Sequence, residues 1–123
     1  MVVKFLAPAQ AELAEAVAYY NSQKSELGSQ FAEEVRRTIE RILQYPKAWT
    51  PLSKRTRRCR TNKFPYGFIY PVRGDVLLIV AVMHLHREPQ MWKSRLGRIF
   101  LFVIGRSFSR TAWGEGSYRF SHL

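Results

Sequence analysis

From Val76 to Met83 every residue is apolar. A strand with one wet face alternates apolar and polar side chains, so an unbroken apolar run marks a central strand covered on both faces. The rest of the chain must supply both covers. Upstream, the apolar period lengthens from two to three or four. Leu13, Val17 and Tyr20 recur at helical spacing in an Ala- and Glu-rich stretch from Ala9 to about Gln23, after Pro8, a residue favoured in a first helical turn. Asn21 to Ser25 reads as a polar turn. A second helix is expected from about Glu26 to Gln44, with Leu27, Phe31, Val35, Ile39, Ile42 and Leu43 on one face and Pro46 as its stop.

The flanking segments read as strands. Val2 to Leu6 is a short β-branched and aromatic run. After Pro46 comes a loop with Trp49, and Ser53 to Lys63 is a basic loop entering a strand. Phe64-Pro65-Tyr66-Gly67 is a turn or bulge that opens a further strand over Phe68 to Arg73. Arg73-Gly74-Asp75 is a tight hairpin turn into the apolar run. Pro71 implies an edge position or a bulge, because it has no N–H to give a ladder. The expected architecture is α+β in the order β-α-α-β-β-β, a two-helix hairpin packed on a small curved antiparallel sheet.

Charge narrows the partners. The 123 residues carry 20 Lys and Arg against 9 Asp and Glu, for a net +11. Residues 1–40 have a net charge of −2, residues 41–96 of +10 and residues 97–123 of +3, and no acid stands between Glu40 and Asp75. Such a field favours nucleic acid or an acidic protein. No apolar run reaches the roughly 18 residues of a membrane span, the N-terminus lacks a signal-peptide pattern, and the lone Cys59 can form no internal disulfide. A cytoplasmic protein without membrane association is expected.

Several motifs stand in an order that resembles the RelE/ParE superfamily of toxins from type II toxin–antitoxin systems, which includes the plasmid stabilisation proteins. They are Pro8-Ala9-Gln10-Ala11-Glu12-Leu13 followed by Tyr19-Tyr20, Phe31 with Leu43 and Pro46, Arg60-Thr61-Asn62-Lys63-Phe64-Pro65-Tyr66 followed by Ile69-Tyr70, and His84-Leu85-His86-Arg87-Glu88-Pro89 followed by Trp92 and Arg95. The resemblance covers residues 1–96, taken as one toxin domain, and leaves 97–123 as an atypical C-terminal extension, read as poorly ordered. It implies a growth-inhibiting toxin held inactive by a cognate acidic antitoxin in a hetero-oligomer. RelE-like members cleave messenger RNA on the ribosome without a metal, whereas ParE-like members bind DNA gyrase and hydrolyse nothing. A degenerate toxin that only binds its antitoxin is the third alternative.

RNA cleavage would need charge stabilisation at the phosphorane and a proton for the leaving oxygen. Arg58 and Arg60, two apart on a strand, share a face and match the family's paired basic residues; guanidinium groups fork onto phosphate. His84 and His86 are candidates for proton transfer and Arg87 for added positive charge. The RelE branch has an arginine where this chain has Gly67, which removes a main charge donor. Lys54, Arg55, Arg57, Lys63, Tyr66 and Trp92 are the candidate contacts to nucleic acid or target. Each has a structural alternative: Tyr66, Phe64 and Tyr70 as packing, Trp92 as a lid on the core, Cys59 as an inward strand residue whose thiol pKa the flanking arginines would lower. His84 and His86 lack a third ligand, so neither metal nor cofactor is expected.

Overall fold

A computed structural model of the chain describes residues 1–71, 74–86 and 92–96. The chain opens with β1 (Val2–Phe5) and a helical hairpin, α1 (Ala7–Gln23) and α2 (Leu27–Gln44). Strands β2 (Thr50–Pro51), β3 (Thr56–Arg60), β4 (Tyr66–Pro71), β5 (Val76–Ile79) and β6 (Ala81–His84) follow, and residues 92–96 form a helical turn. The α+β architecture read from the sequence holds: two helices lie on one face of a small sheet.

The helices form where the pattern places them. Pro8 stands in the first turn of α1, and Ala9, Leu13, Ala16 and Val17 are its buried residues. The helix runs on through Asn21 to Gln23, so the link to α2 is shorter than the polar composition suggests. On α2 the buried stripe includes Phe31, Val35, Thr38, Ile39 and Ile42. Its outer face carries Arg36 between Glu33 and Glu40, with Arg37 also reaching Glu33 at 3.4 Å. These pairs are exposed and screened by solvent, so they add little; apolar burial holds the helix. It ends before Pro46, whose carbonyl oxygen accepts the Tyr70 hydroxyl at 2.6 Å.

The apolar run is one strand with a fault in it. Its first half, β5, pairs with β1 in parallel, Val2 with Val76 through Phe5 with Ile79. The strands are thus antiparallel except at this edge, and the long connection a parallel pair requires runs from β1 through both helices and β2 to β4 before it reaches β5. Its second half, β6, pairs antiparallel with β4, Tyr66 with His84 through Ile69 with Ala81. Val80 N–H also donates to Ile69 O at 2.8 Å. Val80 and Ala81 therefore both oppose Ile69, which is a β-bulge. The bulge resets the alternation: Leu77, Ile79 and Val82 join the core under the helices, while Leu78, Val80, Ala81 and Met83 form a second core on the other face. Both faces are covered, as an unbroken apolar run demands.

β3 pairs with β4 from Thr56 opposite Pro71 to Arg60 opposite Gly67, and β2 adds to β3. Pro71 lies past Ile69, where the pairing with β6 ends, so its missing N–H costs that ladder nothing. The hairpin turn expected at Arg73-Gly74-Asp75 falls partly outside the described residues, and Gly74 within it has φ +56°, the left-handed conformation glycine adopts without steric cost.

Candidate binding surface and groove

β3 puts its arginines and its cysteine on opposite faces. Cys59 pairs with Phe68 and enters the core under the helices, 1 % exposed. Burial pushes its thiol pKa up, against a smaller pull downward from the Arg41 guanidinium. The lowering expected from Arg58 and Arg60 does not arise, because strand alternation turns both away from the sulfur.

Arg58 and Arg60 are opposite Ile69 and Gly67, on the face away from the helices. The stem of Arg58 crosses Gly67: a Cβ built on that glycine would lie 2.9 Å from Arg58 Cδ and 3.1 Å from Leu85 Cδ2. The position where the RelE branch has an arginine is therefore roofed here by Arg58 itself. Arg58 Nε is buried and has no hydrogen-bond partner among the described residues. Arg60 is exposed, and its carbonyl oxygen accepts from Arg41 at 2.8 Å.

The other candidates separate into exposed and structural groups. Lys54, Arg55 and Lys63 are exposed. Lys63 is anchored through its backbone N–H to the buried Glu34 carboxylate at 2.9 Å, which ties the basic loop to α2. Arg57 donates to Trp49 O at 2.8 Å, fixing the loop before β2. Tyr66 belongs to an aromatic cluster, its ring centroid 5.2 Å from that of Phe31 and 6.2 Å from that of Tyr20. Trp92 is 3 % exposed in the outer core, with the Lys93 ammonium 5.7 Å over its ring. Both rings make packing contacts, and Tyr66 is also half-exposed toward solvent.

His84 lies on the helix side of the sheet. It pairs with Tyr66 in register, their rings 5.3 Å apart, and its ring is 5.3 Å from that of His86. His86 N–H donates to His84 Nδ1 at 3.2 Å. The sheet thus brings Arg58 and Arg60 together and His84 and His86 together, but sets His84 on the opposite face from the arginines. Arg87 lies outside the described residues. Among the described residues no three His, Cys, Asp or Glu side chains cluster as metal ligands would.

One polar pairing, between two residues of the family motifs, lies beyond the reach of local sequence reading. Glu12 of α1 receives Arg95 in a two-pronged pair, Nη1 to Oε1 at 2.8 Å and Nη2 to Oε2 at 2.9 Å. The same carboxylate accepts Val82 N–H at 3.0 Å, and Arg95 donates to Val80 O at 3.0 Å. Past Ile79, β1 has ended, so the outer edge of β6 would otherwise expose these backbone groups. Glu12 and Arg95 close that edge from the side and tie the turn of residues 92–96 to α1. A spacing of 83 residues carries no local signal; a Glu on an amphipathic helix reads as a solvated position.

Between α1 and the outer edge of β6 runs an open groove of about 680 Å³. Glu12, Glu15, Tyr19 and Tyr20 form one wall and Tyr66 and His84 the other, over an apolar floor. Tyr20 is held above the ordinary phenol range by burial, with Tyr66 and Tyr19 adding to the effect. No helix among the described residues is long and apolar enough to cross a membrane.

A helical hairpin on this bulged sheet, with a basic β3 and a C-terminal turn clasped to α1, defines a small toxin of the RelE/ParE superfamily. The model of the family described as "ParE toxin of type II toxin-antitoxin system, parDE" matches residues 3–89, and the chain belongs to that family. Among solved structures, it is similar to one titled "Chromosomal ParDE TA system from P. aeruginosa", with a TM-score of 0.61 and 14 % identity over 70 % of this chain and 97 % of that one. No curated protein matches the chain.

Proposed function

We propose that this toxin arrests growth by binding its target in the ParE manner, with DNA gyrase as that target, and not by cutting RNA. One observation carries the reading. Arg58 and Arg60 project from one face of the sheet and His84 from the other. A phosphate clamp and a proton donor must meet at one scissile bond, within hydrogen-bond reach of it. The core of the sheet lies between these groups. A binding protein needs only a shaped, charged surface, and β3 with its flanking loop offers one in Lys54, Arg55, Arg60 and Lys63, all exposed. The same basic surface suits neutralisation by an acidic antitoxin.

The test pairs a gyrase supercoiling assay with translation in a purified cell-free system. The expected result is blocked supercoiling with intact message. Message cut at the ribosomal A site, and spared when Arg58 and Arg60 are changed to Ala, would overturn the reading in favour of RNA cleavage. If neither process responds, the chain is a degenerate toxin that serves only to bind its antitoxin.

A further inference from the structure

We infer that the corner where α2 ends against β2 and β3 binds single-stranded nucleic acid, with Tyr45 as the platform for an unpaired base and Arg37, Arg41 and Lys47 as contacts to phosphate. This goes beyond the proposed function and does not depend on which target the toxin takes. The first argument is helical period. Arg37, Arg41 and Tyr45 stand four apart, so they share one face of α2. Tyr45 N–H closes the last turn on Arg41 O at 3.0 Å, which keeps the tyrosine in line with the two arginines. Tyr45 is 58 % exposed, a large ring left in water among cations.

Rigidity agrees. Arg41 Nη2 donates to Arg60 O at 2.8 Å and to Thr38 Oγ1 at 3.2 Å, and the guanidinium carbon lies 6.0 Å from the centre of the Trp49 ring. Trp49 Nε1–H donates to Arg41 O at 3.3 Å, and Arg57 holds Trp49 by its carbonyl oxygen. A cation fixed in this way loses little freedom when a phosphate oxygen arrives. Charge completes the case. Arg37, Lys47 and Arg60 are exposed, and no acid stands between Glu40 and Asp75. Glu33 and Glu40 are both bonded to Arg36, and Glu33 also reaches Arg37 at 3.4 Å, at the end of the stripe away from Tyr45. An acidic peptide would satisfy the cations and leave the ring unused. A nucleotide strand brings a negative charge and a flat base at every step. A duplex keeps its base faces in its own stack, so the exposed ring selects the single strand. DNA and RNA share this chemistry.

The test is fluorescence anisotropy of the full chain with labelled oligo-dT, oligo-U and a DNA duplex, each about ten nucleotides per strand, within the span such sites cover. Single strands are expected to bind more tightly than duplex; a merely basic surface would do the reverse, because duplex carries its charge more densely. Tighter binding of oligo-dT would identify DNA as the source of the strand, and tighter binding of oligo-U would identify RNA. Tyr45→Ala should weaken binding by about fivefold or more without altering its salt dependence, and Tyr45→Phe should keep it. Lys47→Gln should reduce the slope of log affinity against log salt by about 0.7, the share of one phosphate contact. Both side chains are exposed, and circular dichroism checks that the variants stay folded. Duplex bound more tightly than either single strand, no binding of single strands, an affinity indifferent to Tyr45→Ala, or a slope indifferent to Lys47→Gln would each overturn the proposal.

Discussion

Glu12 shows how much one side chain can be asked to hold. Its two oxygens serve an arginine and a strand-edge amide together, and Arg95 is nearly buried. Removing one member leaves the other charge in a poorly solvated place. Glu12→Gln is therefore expected to lower unfolding free energy by about 2–3 kcal/mol, below the top of the range for buried pairs because the carboxylate keeps some exposure. Urea denaturation measures this, and a Glu12→Leu, Arg95→Met double variant should lose less than the sum of its single losses. Tyr70 is the residue to follow in alkali. Burial of its ring pushes its pKa up to about 12, against roughly 10 in an unfolded chain. Below pH 10 the phenol is protonated in both states, so its contribution is fully present there; it is lost as pH rises from 10 to 12, because the unfolded chain ionises first. Stability measured against pH should fall by about 2–3 kcal/mol from this group across that window. Tyr70→Phe should flatten that limb while costing about 1 kcal/mol at neutral pH for the lost bond to Pro46.

At the scale of elements, α2 is the platform on which the basic loop rests. Its inner stripe meets β3 and β4, and its Glu34 and Arg41 hold Lys63 and Arg60 by their backbones. Phe31 is fully buried among Tyr20, Phe64 and Tyr66. Phe31→Ala should cost about 3–5 kcal/mol, readable as a drop in the urea midpoint. It should also loosen the loop bearing Lys63, seen as faster amide exchange over residues 61–66. Both helices were legible in the sequence because their 3.6-residue period runs over four turns. β5 and β6 were legible only as one strand. The bulge at Val80–Ala81 arises from two competing registers, parallel to β1 and antiparallel to β4, and no local residue marks where one yields to the other.

For the whole molecule, the charge asymmetry should govern how it meets its partner. The +10 segment includes the exposed Lys54, Arg55, Arg60 and Lys63. Association with an acidic antitoxin should be steered, with a rate constant that falls by about tenfold or more between 50 and 500 mM salt, while dissociation changes little. Stopped-flow mixing at a series of salt concentrations checks this; a salt-independent rate would assign the contact to apolar burial instead. Neutralising Lys54 and Arg55 together should flatten the salt dependence.

The sequence by itself determined the helices, the doubly covered central strand, the basic middle and the family resemblance, because each rests on periodicity, local composition or ordered motifs. It also set Arg58 and Arg60 on one face, since strand alternation is a local rule. Only the tertiary structure decided which faces oppose each other. Whether His84 shares a face with Arg58 depends on the registers of β6 and of β3 against β4, both products of long-range pairing. The Glu12–Arg95 clasp and the acidic groove beside it are of the same kind. Their residues lie far apart in the chain and come together only because β1 stops short and leaves the edge of β6 to be closed.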